Sequence, residues 1–341
     1  MMKKSRETSL FVFGNGFDLA HGYKTRYSDF KKWLAATPDG NQLVKEIEGV
    51  LERLRGELPD YTSYSSNADD YNDPDNWLWS DLENALRLLP DSYENLIDEA
   101  SASFKEREQE FSESDPAMAG NVENDPGEQD SVYSAFDFDG LDDIIDNLYA
   151  KLSEWIGSVD SQIYASPSTR RKWSRPFKCG DTALTFNYTH TLEKLYKIPR
   201  SEILHIHGET DDDTNPIILG HDVDLSSGVF EDLSKDVASE IVDKILGYST
   251  KKTAKPTELI IERKERWFDS LKRVDNVLVY GHSLSEVDLP YFWRLMEATP
   301  STSWCIYTHN SAKVPSYLLQ KAKDEKIQLD EKDDKEFWNR S

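Results

Sequence analysis

Short, wholly apolar runs separated by longer mixed segments dominate the pattern of this chain. Leu10 to Phe13 is the first run; it stops at Gly14, and the stretch from Phe17 to Leu34 then mixes polar and aromatic positions. That succession predicts a buried strand, a glycine loop and a helix or two. Runs of the same kind recur at Thr182 to Phe186, Ile203 to Ile206, Ile217 to Leu219, Val277 to Tyr280 and Trp304 to Tyr307, with room for helices between them. Buried strands alternating with helices predict an α/β fold, a mostly parallel sheet covered on both faces.

A long interruption, residues 40–175, separates the first predicted strand from the second. Helical periodicity in Gln42 to Leu58, Trp77 to Leu89, Ser92 to Phe111 and Leu141 to Ile156 marks it as a large helical insertion after the first strand-helix unit. The expected division is therefore an α/β core of residues 1–39 and 176–341, with the insertion between. Glu108 to Asp146 holds 13 carboxylates and no Lys or Arg, which predicts a mobile acidic loop. A second insertion, Asp222 to Glu262, reads as helical and ends near Pro256.

Charge and cysteine content narrow the function classes. The 341 residues carry 40 Lys plus Arg against 64 Asp plus Glu, a formal charge of −24, which argues against a nucleic-acid binder held by phosphate neutralisation. The basic cluster Arg170, Arg171, Lys172 and Arg175 reads first as a solvated face, and only secondarily as a phosphate contact. Cys179 and Cys305 can build neither a four-thiolate zinc site nor a disulfide framework, and no apolar stretch is long enough to span a membrane. These features predict a cytoplasmic protein.

Four motifs carry candidate chemistry. Gly14-Asn15-Gly16-Phe17-Asp18 follows the first strand, where glycines permit close approach of backbone to ligand and a helix start offers amides to a phosphate. Leu19 occupies the third glycine position of the dehydrogenase fingerprint, so a nicotinamide dehydrogenase is not expected. Asp18 reads either as a helix cap or as a polar group of the site, one that orients His207 or a sugar hydroxyl. Thr185-Phe186-Asn187-Tyr188-Thr189 ends a strand, and the Asn187 amide, both donor and acceptor, suits a sugar hydroxyl or a water.

The third motif is His205-Ile206-His207-Gly208. Strand alternation puts both histidines on one face, and His207, beside a glycine that leaves room for a ligand, is a candidate general base. The pair could also ligate a metal with His221 or His282, although no HExxH or aspartate-rich pattern accompanies it. In the fourth motif, Gly281-His282-Ser283-Leu284-Ser285-Glu286-Val287-Asp288, Ser283 mimics a nucleophile elbow with Ser285 where that motif has Gly. A nucleotide-contacting loop fits better than a hydrolase using His309.

Taken in order, these blocks carry a resemblance. Gly14 to Gly22 with Lys24 to Phe30 closely resembles the opening of the AbiH family of bacteriophage abortive-infection proteins. The likeness continues through Trp79-Ser80-Asp81-Leu82-Glu83, Phe186-Asn187-Tyr188-Thr189, Ile206-His207-Gly208-Glu209 and Gly281 to Asp288; His190 departs, standing where the family pattern has an acidic residue. The same blocks resemble a divergent sirtuin-type, Rossmann-like NAD-binding fold. That likeness implies Asn187, His207 and Asp18 as catalytic residues. It implies Gly14, Asn15, Gly16, Phe17, Thr25 and Tyr27 facing the phosphates of NAD, with Gly281, Ser283 and Asp288 on its adenosine half. Glu83 would be a further polar group in the cleft or a tie between insertion and core.

The expected function is an antiphage NADase that cleaves the nicotinamide–ribose bond when activated. NAD is its substrate and no cofactor is permanently bound. A phage-derived trigger and a homo-oligomer are the partners this reading admits, with neither membrane nor nucleic acid. Two alternatives stand beside it: a metal-dependent nuclease or phosphoesterase using His205, His207 and His221, and a catalytically silent nucleotide-binding sensor.

Overall fold

The computed structural model describes residues 7–57, 77–80, 82–89, 140–165, 177–210, 212–222, 248–309 and 313–338, with isolated positions between 102 and 109. The chain divides into two compact units: Met1–Phe30, Leu152–Ile218 and Thr257–Ser341 form one, Lys31–Lys151 and Leu219–Pro256 the other.

The first unit is built on a six-stranded sheet. Its strands are β1 (Ser9–Phe13), β2 (Thr182–Thr185), β3 (Ile203–His205), β6 (Asn276–Tyr280), β7 (Ser303–Thr308) and β8 (Gln328–Asp333). They lie in the order β3-β2-β1-β6-β7-β8, and every pairing is parallel. The chain thus builds outward from β1 in one direction and then reverses, the doubly wound order of Rossmann-like proteins. The reversal falls between β1 and β6.

Burial on both faces explains the apolar runs. Along β1, Leu10 and Val12 enter one core and Phe11 and Phe13 the other, and Val277 and Val279 alternate with Leu278 and Tyr280 in β6 in the same way. The first core is closed by the helix Leu289–Ala298, whose Tyr291, Phe292, Leu295 and Met296 are buried, together with Ile260, Phe268 and Leu318 from other helices. The second is closed by Phe17, Leu192, Phe337 and Trp338 from the short helices Gly16–His21, Thr191–Tyr196 and Asp334–Trp338. Trp338 donates its indole N–H to the Tyr280 hydroxyl at 2.8 Å and stacks on Phe17 at 5.8 Å.

The second unit contains the helix Gly40–Glu57, the short helices Trp77–Ser80 and Leu82–Leu86, and the pair β4 (His221–Asp222) with β5 (Ala254–Lys255). Glu83 meets the fully buried ammonium of Lys255 at 2.6 Å, and Trp79 donates to Glu48 at 2.8 Å. Glu83 is therefore an anchoring group within this unit.

Several expectations are corrected. Ile217–Leu219 forms no strand; instead Ile218 is held as irregular backbone, its N–H on the His207 carbonyl at 2.8 Å and its carbonyl on the Tyr188 hydroxyl at 2.9 Å. The helix expected over Leu141 to Ile156 runs to Ala165, so residues 141–146 of the expected acidic loop are helical. Most of that loop, most of Ser92 to Phe111 and the cluster from Arg170 to Arg175 lie outside the described residues. The expected break at 175 also moves: residues from Leu152 onward belong with the sheet, where Trp155 packs on Phe30 at 5.2 Å. Residues 219–256 belong with the insertion, where the Tyr149 hydroxyl donates to the Leu219 and Lys252 carbonyls.

Candidate functional site

The glycine loop after β1 serves the fold first. Gly14 N–H donates to the Tyr280 carbonyl at 3.1 Å, Gly16 N–H to the Gly281 carbonyl at 2.8 Å and Phe17 N–H to the Gly14 carbonyl at 2.9 Å. A methyl group on Gly16 would sit 2.6 Å from the Gly281 Cα, and one on Gly281, whose φ is +69°, would sit 2.6 Å from the Phe17 nitrogen. The two loops clasp backbone to backbone across the strand-order reversal, and only glycine fits. Asn15 and Thr25 are bonded to one another, Asn15 Nδ2 donating to the Thr25 carbonyl at 2.9 Å. Tyr27 opens the helix Tyr27–Ala35 and is half-buried. The expected phosphate cradle is thus a clasp in which the amides of Gly14, Gly16 and Phe17 are already bonded.

The loop after β2 is held from three sides. Asn187 N–H donates to Thr185 Oγ1 at 3.1 Å, and the Asn187 carbonyl lies 3.1 Å from Nδ1 of His205. Thr189 and Thr191 both donate hydroxyls to Asp18, the latter at 2.6 Å. Asp18 thus anchors the loop that carries Asn187; no bond ties it to His207. Burial raises its pKa to about 6 against the lowering effect of those two hydroxyls.

His190 completes the anchor. Its Nδ1 faces Asp160 Oδ2 at 2.5 Å and its Nε2 faces Glu209 Oε2 at 3.0 Å. Burial opposes its charging, but the bonds to two carboxylates prevail and raise its pKa to about 9. Lys194 reaches Asp160 at 3.0 Å and Arg200 reaches Glu209 at 2.9 Å. His205 Nε2 lies 2.9 Å from Glu193 Oε1. The result is a chain of alternating charges behind the Asn187 loop.

His207 occupies a different environment, on the other side of the sheet. The strand ends at His205, and Ile206 and His207 form a turn, so the expected common face for His205 and His207 fails: alternation holds only while the backbone stays extended. Gly208, at φ +81°, lies against the Pro216 carbonyl, which a methyl group would meet at 1.9 Å; the space expected beside it for a ligand is filled by that carbonyl. His207 Nε2 lies 3.2 Å from Asp288 Oδ1, and His282 Nε2 lies 3.3 Å from Asp288 Oδ2. The Leu284 N–H donates to His282 Nδ1 at 2.8 Å, which leaves the His282 proton on Nε2, toward Asp288. Phe186 packs edge-on to both imidazoles, at 5.0 Å and 4.2 Å, and Tyr188 lies 6.4 Å from His207. Asn187 sits between those two aromatic residues, and its buried Oδ1 accepts no hydrogen bond among the described residues.

The predicted residues therefore sort into groups. Asn187, His207 and Asp288 lie on the loops that follow β2, β3 and β6, and of these His207 and Asp288 are in contact; Asp18 anchors the Asn187 loop; Gly14, Gly16, Phe17 and Gly281 form the clasp; Ser283 is exposed. His309, its possible hydrolase partner, is bonded to Asp334 at 2.7 Å. Sequence reasoning did not single out Asp160, Glu193 or Glu209 as site residues, left His190 without a role and weighed His282 only as a metal ligand. The missed signal for Asp160 is a charge set among Ile156, Val159 and Ile163, all buried on one helix stripe.

Glu193, His205 and Glu209 also present ligand atoms within 4.8 Å of one another. Both Glu209 oxygens already meet cations, His190 and Arg200, and His205 bridges Glu193 and the Asn187 carbonyl. Most of these donors are engaged by protein partners, while Glu193 Oε2 accepts no hydrogen bond among the described residues. His221 belongs to the other unit.

Sheet order and site together define a doubly wound α/β protein with a buried imidazole–carboxylate cluster at the carboxyl ends of its strands. A family model described as bacteriophage abortive infection AbiH matches residues 10–308, and the chain belongs to that family. No curated protein matches it. Among the described residues, no helix is long and apolar enough to cross a membrane.

Proposed function

We propose that this AbiH-family protein acts in abortive infection by hydrolysing NAD at the nicotinamide–ribose bond. The observation that carries the reading is the buried, unpartnered Oδ1 of Asn187 together with the His207–Asp288 contact, on loops that follow β2, β3 and β6 at the strand ends where doubly wound sheets bind nucleotides. The block-by-block likeness to sirtuin-type NAD folds points the same way. In this reading Asn187 accepts from a ribose hydroxyl and fixes the sugar. The C–N bond to nicotinamide breaks with its electron pair leaving on nicotinamide, a water adds its hydroxyl to the ribose carbon, and His207 takes the water's proton. Asp288 orients His207 and stabilises its charged form. Neither a metal nor a covalent nucleophile is required.

The phosphoesterase alternative draws on His205, His207 and His221 with nearby acids, of which His221 belongs to the other unit, and a silent sensor would leave NAD intact. Incubating the protein with NAD, with and without chelator, and following free nicotinamide separates the three. Chelator-insensitive release supports the proposal. Intact NAD under conditions where the protein protects cells contradicts it.

A further inference from the structure

We infer that the site recognises the ribosyl part of its ligand through hydroxyl donors and does not anchor phosphate in the Gly14–Phe17 loop, so that a riboside without pyrophosphate is itself a ligand. The inference rests on the nucleotide reading above and departs from the phosphate-cradle expectation for the same loop.

Hydrogen-bond polarity carries the argument. Asn187 is 8% exposed, and its Oδ1 accepts no bond among the described residues. A buried acceptor left without a donor is costly, and a sugar hydroxyl supplies one, whereas a phosphate at neutral pH offers mainly acceptors. Asp288, the neighbouring anion, likewise takes donors and opposes a phosphate. The glycine positions of the loop that would hold phosphate in a dinucleotide-binding fold are occupied by the protein itself. The amides of Gly14, Gly16 and Phe17 are spent on Tyr280, Gly281 and Gly14, and the space above Gly14 and Gly16 is filled by the backbone of Gly281 and His282. The carboxylate of Asp18 stands in the first turn of the following helix, where an anion-binding terminus would want no negative charge. A formal charge of −24 adds long-range repulsion toward a polyanion.

Calorimetric titration of the full chain with nicotinamide riboside, ADP and NAD tests this. Nicotinamide riboside should bind within about tenfold of NAD, and ADP at least about tenfold more weakly than the riboside. Asn187→Ala, checked for an unchanged thermal transition, should weaken the riboside about tenfold and leave ADP unaffected. Should that variant misfold, the 2′-deoxy riboside serves instead and should bind the wild-type protein about tenfold more weakly. ADP binding as tightly as NAD while the riboside fails to bind overturns the inference, as does failure of both riboside and NAD. Riboside binding in the expected order without any nicotinamide release from NAD would sink the cleavage reading and leave this inference standing. Nicotinamide release from NAD that ADP inhibits and the riboside does not would do the reverse.

Discussion

His205 and His207 lie two residues apart and belong to opposite kinds of environment. His205 sits within an ion-pair network, where Asp160, Glu193 and Glu209 meet His190, Lys194, Arg200 and His205 itself at 2.5 to 3.0 Å, with Glu193 Oε2 accepting no hydrogen bond among the described residues. His207 sits among aromatic rings, its contact to Asp288 is a looser 3.2 Å, and the adjacent Asn187 keeps an unpartnered acceptor. The first arrangement holds the Asn187 loop in place, and that loop carries an amide oxygen whose bonding a ligand would complete. A charge-paired buried network stabilises one conformation, while a buried acceptor such as the Asn187 amide oxygen marks where a ligand's donor would be bound. Under the proposed function, the difference separates positioning from chemistry across a single strand end.

The largest effect expected is on turnover. Replacing His207 with Ala should lower NAD hydrolysis by about 10²–10⁴-fold with the thermal transition preserved, and Asn187→Ala should match it in direction. A folded His207→Ala protein with near wild-type turnover breaks the division between the two regions. On the other side of the strand, Asp160→Ala leaves His190 charged and half-paired and should cost about 3–5 kcal/mol in chemical denaturation. Little change there would mean the network is ornamental to the fold.

Gly281→Ala forces a methyl group toward Phe17 N at a φ of +69° and should cost at least about 2 kcal/mol, measured the same way. The His190 charge gives a smaller, pH-specific signature. Its folded pKa is raised from 6.5 to about 9, so its contribution is fully present below pH 6.5 and is lost as pH rises through about 9. Stability should therefore fall across that window in the wild type, and His190→Gln should flatten the slope. Smallest of all, Ser283→Ala should weaken NAD binding by about 0.5–1.5 kcal/mol and spare turnover at saturation, since Ser283 is exposed and His309 is engaged by Asp334. Labelling of Ser283 by a serine-directed phosphonate, with ester hydrolysis that requires His309, would overturn that ranking.

The sheet was legible wherever apolar runs were continuous, because strands buried on both faces leave that mark and little else does. Gln328–Asp333 escaped notice for the converse reason: as the edge strand β8 it is paired on one side only and reads as Gln-Leu-Asp-Glu-Lys-Asp. Strand ends told where Asn187 and His207 would lie, since sheet-edge placement follows from the order of elements alone. Their partners did not follow, because Asp160 comes from a distant helix and His190 is defined by what it touches. The glycines were read for a ligand, yet Gly14 and Gly16 answer to Gly281, more than 260 residues further along the chain, and no local pattern announces such a contact.

The central claim is that the His207 side of the strand end performs chemistry on NAD. The most direct test is the NAD content of cells carrying the wild-type chain or His207→Ala, followed through infection by a phage against which the wild type protects. NAD should collapse, with nicotinamide and ADP-ribose rising, in the wild type alone, and protection should disappear with His207→Ala. Protection that persists in His207→Ala cells, or wild-type protection with NAD intact, would contradict the account.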